Sequence, residues 1–183
     1  MKKLLSTLII TATAMICALP VMAQQRRLSP HETISAVING NRLTVVYGRP
    51  YTKNPRSGEV RKIWGGLVPY GEPWRMGADE ATLLITQQPI EMGGKMIPAG
   101  AYTLYMLPVE NGTSQLAIST RIGGWGIPVD QSHDLARVDL KKEALDKPVD
   151  QFTMAVQRNA SGGGVLKLMW ENTEFSVPFT VQK

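Results

Sequence analysis

Cysteine is almost missing from this chain of 183 residues. The single one, Cys17, lies in the N-terminal stretch MKKLLSTLIITATAMICALPVMA. That stretch has Lys2 and Lys3 ahead of an apolar run from Leu4 to Leu19, and ends in Val21-Met22-Ala23 before Gln24. Charge, apolar run and a small closing residue in that order are the pattern of a secretory signal peptide. No stop-transfer pattern follows, and the run is short for a bilayer span. Cleavage after Ala23 would leave 160 of the 183 residues, 24–183, with no thiol and no transmembrane segment. The expected product is one exported domain, periplasmic or extracellular, that holds together without disulfides.

Histidine is scarce as well. His31 and His133 are the only two. Structural zinc needs three or four ligands at set spacings, so no metal and no cofactor is expected. A mixed site could be drawn from Asp130, His133 and Asp134, but a polar loop leading into a strand explains that triplet more economically. The chain has no G-x-S-x-G elbow, no P-loop and no dinucleotide fingerprint. Basic residues are scattered, and loss of the leader lowers the net charge from +5 to +3. Nucleic acid is therefore not an expected partner. No segment sustains a 3.6-residue period, which excludes a helical bundle.

What the chain does have is short extended runs separated by turn residues. Thr33–Ile38 and Arg42–Tyr47 flank Asn39-Gly40, a dipeptide suited to a tight hairpin turn. Thr82–Thr86, Ala101–Leu107, Gln115–Ser119, Leu135–Leu140, Gln151–Gln157, Val165–Trp170 and Glu174–Val181 read as further strands. Ile90–Ile97 reads as a small hairpin turning at Gly93-Gly94. Lys141–Lys147 reads as a helical turn, and Pro178 places the last strand at an edge or a bulge. About ten short strands with turns every eight to twelve residues predict an all-β fold, a single antiparallel β-sandwich.

One stretch breaks the pattern. Trp64–Thr82, WGGLVPYGEPWRMGADEAT, holds two tryptophans, four glycines and two prolines. It is too rich in Gly and Pro for a strand or helix interior. A long irregular segment inside a compact domain is usually a functional or tightly packed loop. A second glycine-rich loop, Arg121–Pro128, carries Trp125. Trp74, Arg75, Asp79, Glu80 and Trp125, with Arg49 as a partner, form the expected ligand-binding set. Rings stack while charged groups fix orientation, which suits a glycan or a peptide. The opposing reading is that the rings pin the loops down and Arg75 pairs internally.

Several segments together resemble the family of secreted bacterial proteins called domain of unknown function 2911, common in the Bacteroidetes. They are Tyr47-Gly48-Arg49-Pro50, Trp64–Thr82, Pro98–Tyr102 with Leu107-Pro108, Trp125-Gly126, Asp134–Val138 and Leu168–Thr173. The family usually shows Asn at the place of Asp79 and Thr at that of Met76. The resemblance implies an exported, mostly β domain and no particular reaction. The leading expectation is a non-catalytic binding module for a glycan, peptide or envelope component. The alternatives are a hydrolase with Asp79 and Glu80 as acid and base, and a purely structural envelope protein. Neighbouring residues on an extended strand face opposite ways, which weighs against the hydrolase.

Overall fold

The computed structural model describes residues 27–182. The leader, with Cys17 and the expected cleavage at Ala23, lies outside the described residues. The fold is all-β, with two antiparallel sheets packed face to face and not closed into a barrel. Six strands form the first sheet in the order β1-β2-β3-β6-β7-β8. They are β1 (His31–Ile38), β2 (Asn41–Gly48), β3 (Thr82–Thr86), β6 (Gly100–Leu107), β7 (Gln115–Ser119) and β8 (Asp134–Asp139). The second sheet runs β5 (Lys95–Ile97), β4 (Ile90–Met92), β10 (Gly164–Val181), β9 (Lys141–Arg158). Among the described residues no helix is long and apolar enough to cross a membrane.

Period-two patterning sorts the side chains. Leu43, Val45 and Tyr47 of β2, Leu84 of β3, and Leu104 and Met106 of β6 are buried. They meet Phe152, Met154, Leu166, Leu168, Trp170 and Phe179 of the second sheet in one apolar core. Alternate residues on the other face of the first sheet, such as Val46 and Leu83, are only half-buried.

Asn39-Gly40 forms the β1–β2 turn, both residues at positive φ (50° and 81°), and the strands pair in register from His31↔Gly48 to Ile38↔Asn41. Lys141–Lys147 is not helical. It is the first part of β9, where Lys141–Ala144 pairs with Thr173–Ser176 of β10, so a tertiary partner overrides local helix propensity. Asn172-Thr173 does not end a strand either. β10 runs through it with register shifts on either side of Glu171, whose φ is 50°. Pro178 sits inside the second sheet. It falls between Ser176, the last residue of β10 paired to β9, and Phe179, the first paired to β4, so its missing N–H interrupts no ladder.

Candidate functional site

β2 ends at Gly48 and β3 begins at Thr82, so 49–81 is one long connection. Its two halves are built differently.

The first half is a plug. Ile63, Val68 and Met76 are fully buried. Trp74 exchanges two backbone hydrogen bonds with Met106, each 2.8 Å, and so extends the row of β3 along β6. Its ring stacks on Trp170 (centroids 5.8 Å, 23°) and meets Phe152 edge-on at 5.0 Å. Trp64 packs edge-on against Trp74 at 5.9 Å and against Phe175 at 5.1 Å. These rings close one end of the sandwich core. Trp74 still borders a cavity of about 480 Å³ with Pro50, Arg56, Arg61 and Trp170.

The second half turns outward. A β-carbon on Gly48 would stand 2.1 Å from the carbonyl oxygen of Ala78, so only glycine lets the loop lie this close to β2. The Thr82 hydroxyl donates to the carbonyl of Met76 at 2.6 Å. Asp79 then adopts a left-handed conformation (φ 63°), one that Asp and Asn tolerate better than most residues. That twist overrides the alternation expected of neighbours on a strand. Asp79 and Glu80 both reach the imidazole of His31, at the start of β1. Nε2 is 3.2 Å from Asp79 Oδ2 and 3.3 Å from Glu80 Oε2. Arg27 grips Glu80 with its two terminal guanidinium nitrogens, at 2.7 and 2.5 Å. Those hydrogen bonds hold the Glu80 carboxyl below the usual carboxylate range.

The second glycine-rich loop packs against this turn. The Ala81 N–H donates to Gly124 O at 3.2 Å. Gly126, at φ 79°, presses on Ala81 and on the side chain of Arg75, where a β-carbon would lie 2.9 Å from Ala81 Cβ. Arg75 donates to the Trp125 carbonyl at 3.1 Å and holds its guanidinium 5.5 Å from the Trp125 ring centre. Burial lowers the Arg75 pKa, against the pull of Asp79 and Glu80. Trp125 itself remains 52% exposed. Between the loops and the outer face of the first sheet lies an open trough of about 510 Å³. Val46, Leu83 and Thr103 line it together with Trp125, His31 and Glu80.

Of the residues expected from sequence, Glu80 and Trp125 line this trough, Arg75 braces the tryptophan, and Asp79 meets the shared histidine. Trp74 belongs to the aromatic plug, and with Arg75 and Asp79 it also lines the second cavity of about 480 Å³. Arg49 lies apart from the trough and ties the end of β2 to β9. It donates to Phe152 O (3.1 Å) and Thr153 Oγ1 (2.7 Å), and pairs with Glu32 at 3.1 Å. Asp130 Oδ2 stands 3.5 Å from His133 Nε2, but Asp134 does not join them. Asp134 receives the Tyr105 hydroxyl and Arg137, while Asp130 pairs with Arg121. His31 and Arg27 were not singled out by sequence. The available signal was that His31 shares the outward parity of Thr33 and Ser35 in β1.

A family model described as "Protein of unknown function (DUF2911)" matches residues 29–179. The chain belongs to that family. The match includes both glycine-rich loops, His31, and every strand at least in part, so the trough of this DUF2911 domain is formed almost wholly within the family's own span; only Arg27 at its rim lies outside. No curated protein and no solved structure matches the chain.

Proposed function

We propose that this DUF2911 protein is an exported, non-catalytic module that binds a short saccharide in the trough between Trp125 and the His31–Glu80 rim. The observation that carries this reading is Trp125. Its ring is half exposed, lines the trough and is fixed from behind by Arg75, so it offers a pre-positioned stacking face. A sugar ring offers an apolar face for stacking and hydroxyls that hydrogen-bond carboxylate and imidazole. Val46 and Leu83 supply the apolar floor that such a ring would cover. The test is a calorimetric titration with a panel of oligosaccharides. Binding should fall about tenfold or more in Trp125→Ala, equivalent to roughly 1.4 kcal/mol, with the melting temperature unchanged. Equal affinity in that variant for every ligand of the panel sinks the reading.

A second reading is favoured by the convergence of Asp79 and Glu80 on one imidazole. An acid–base pair acting on a glycosidic bond would use such carboxylates. The Arg27 grip opposes it, since those hydrogen bonds favour the ionised form of Glu80 and weaken it as a proton donor. Release of nitrophenol from nitrophenyl glycosides, abolished in Asp79→Asn, would favour catalysis over binding alone.

A further inference from the structure

His31, Asp79 and Glu80 bring three ligand atoms of mixed type to one point from two places in the chain. One nitrogen and two carboxylate oxygens lie within 4.8 Å of one another. Nε2 stands 3.2 and 3.3 Å from the two oxygens. Ligands bound about 2.0–2.1 Å from a tetrahedral zinc ion stand about 3.3 Å apart, so both spacings fit the edges of such a polyhedron.

Hydrogen bonding satisfies this arrangement only while Arg27 is in place. A ring nitrogen carries at most one proton, yet Nε2 faces two carboxylate oxygens. It also faces Arg27 Nη1 at 2.7 Å, and that group can only donate. The same Arg27 nitrogen also stands 3.0 Å from Nδ1, which accepts from it in the tautomer whose Nε2–H is shared between the two carboxylates. The cluster thus sets one guanidinium cation against two carboxylates, and a divalent cation among the three ligand atoms would match both charges. The present occupant of that electrostatic role is Arg27, a half-exposed side chain four residues before His31. The trough opens beside the cluster and is lined by His31 and Glu80, which leaves coordination positions for water or a ligand hydroxyl.

We propose that His31, Asp79 and Glu80 form a binding site for a divalent first-row transition-metal ion, with Arg27 as a built-in competitor that must swing away when the ion enters. Imidazole nitrogen with carboxylate oxygen suits zinc, cobalt or manganese better than calcium, whose ligands are oxygens. The proposal adds a metal to the rim of the trough. It rests on the cluster's geometry and needs no saccharide.

The test uses untagged protein titrated with cobalt(II), followed by its visible absorption and by calorimetry, with zinc added afterwards as competitor. One cobalt per chain is expected, displaced by zinc. His31→Ala and Asp79→Asn should each weaken binding by at least tenfold, the lower end of what losing even an outer-shell partner costs a metal site. Asp79→Asn guards against misfolding, because Asn accepts the same left-handed backbone. Arg27→Ala should tighten binding at least threefold. The proposal is overturned if neither the wild type nor Arg27→Ala takes up one cobalt, or if both ligand variants bind as the wild type does. A saccharide titration in chelator separates the two readings. Trp125-dependent affinity without metal uptake removes the cation site alone, whereas metal uptake without saccharide affinity supports the site and removes only the saccharide reading.

Discussion

Trp74 and Trp125 are both tryptophans in glycine-rich loops, and the fold treats them in opposite ways. Trp74 is half-buried, stacked on Trp170, edge-on to Phe152, and its backbone extends β6 pairing by one residue. Trp125 is 52% exposed and touches the rest of the protein through Arg75. The difference comes from what lies beneath each loop. Trp74 crosses the open end of the sandwich, where core rings need a lid. Trp125 crosses the outer face of a sheet whose core lies on the other side. Composition alone does not separate a lid from a contact surface; the layer under the loop does.

The largest effect should come from removing the lid. Trp74→Ala opens a void among Trp64, Phe152 and Trp170 and should cost about 3 kcal/mol, at the low end for aromatic truncations because the ring is only half-buried. For a domain of this size that lowers the melting temperature by roughly 10 °C. Trp125→Ala should stay within about 0.5 kcal/mol of the wild type. Thermal unfolding followed by circular dichroism compares the two. Equal losses would erase the distinction between plug and contact surface.

Gly48→Ala probes the joint between the halves. The added β-carbon would meet the backbone oxygen of Ala78 at 2.1 Å, and backbone cannot rotate away as a side chain can. We expect about 2 kcal/mol of destabilisation from the forced shift, together with weakened trough binding, since Ala78 leads directly into Asp79 and Glu80. Gly126→Ala should cost somewhat less, about 1 kcal/mol, for a positive φ and a close contact with Ala81. Its clearer signature is a change in Trp125 fluorescence as the Arg75 brace loosens. A Gly48→Ala protein with wild-type stability and binding would show that the two halves are not mechanically joined.

How much of this was legible in the sequence follows the range of the forces involved. The Asn39-Gly40 hairpin and the alternation in β2 depend on adjacent residues, and both read correctly. Lys141–Lys147 misled because its strand state depends on pairing with Thr173–Ser176, about thirty residues away. Glu80 and Trp125 were identifiable as unusual polar and aromatic residues in irregular loops. His31 was visible only as a scarce histidine of outward parity in β1, because its partners are 48 and 49 positions distant. The rule that neighbours on a strand face apart failed at Asp79, where a left-handed φ of 63° turns both carboxylates toward one ring. That backbone angle is set by the turn leaving the plug, so the site becomes visible only when the lid is in place.

The smallest expected effect concerns the Arg27–Glu80 pair, which asks whether the outward half contributes to stability at all. Arg27 lowers the Glu80 pKa, so the folded state favours the ionised carboxylate more than the unfolded state does. A depressed carboxylate stabilises the fold above its unfolded pKa, and that contribution disappears as the pH falls through the folded value. Both side chains are more than 40% exposed (46% and 43%), so solvent screens most of the attraction. The stabilisation should not exceed about 0.5 kcal/mol. Glu80→Gln should therefore be marginally less stable than the wild type in urea at neutral pH. The gap should shrink as the solution is acidified below the ordinary carboxylate range, and should also shrink in high salt. A neutral-pH loss of several kcal/mol, insensitive to salt, would mean that Glu80 anchors the loop as Trp74 does. The division between a structural half and an exposed, ligand-facing half would then fail on the side where the present geometry makes it sharpest.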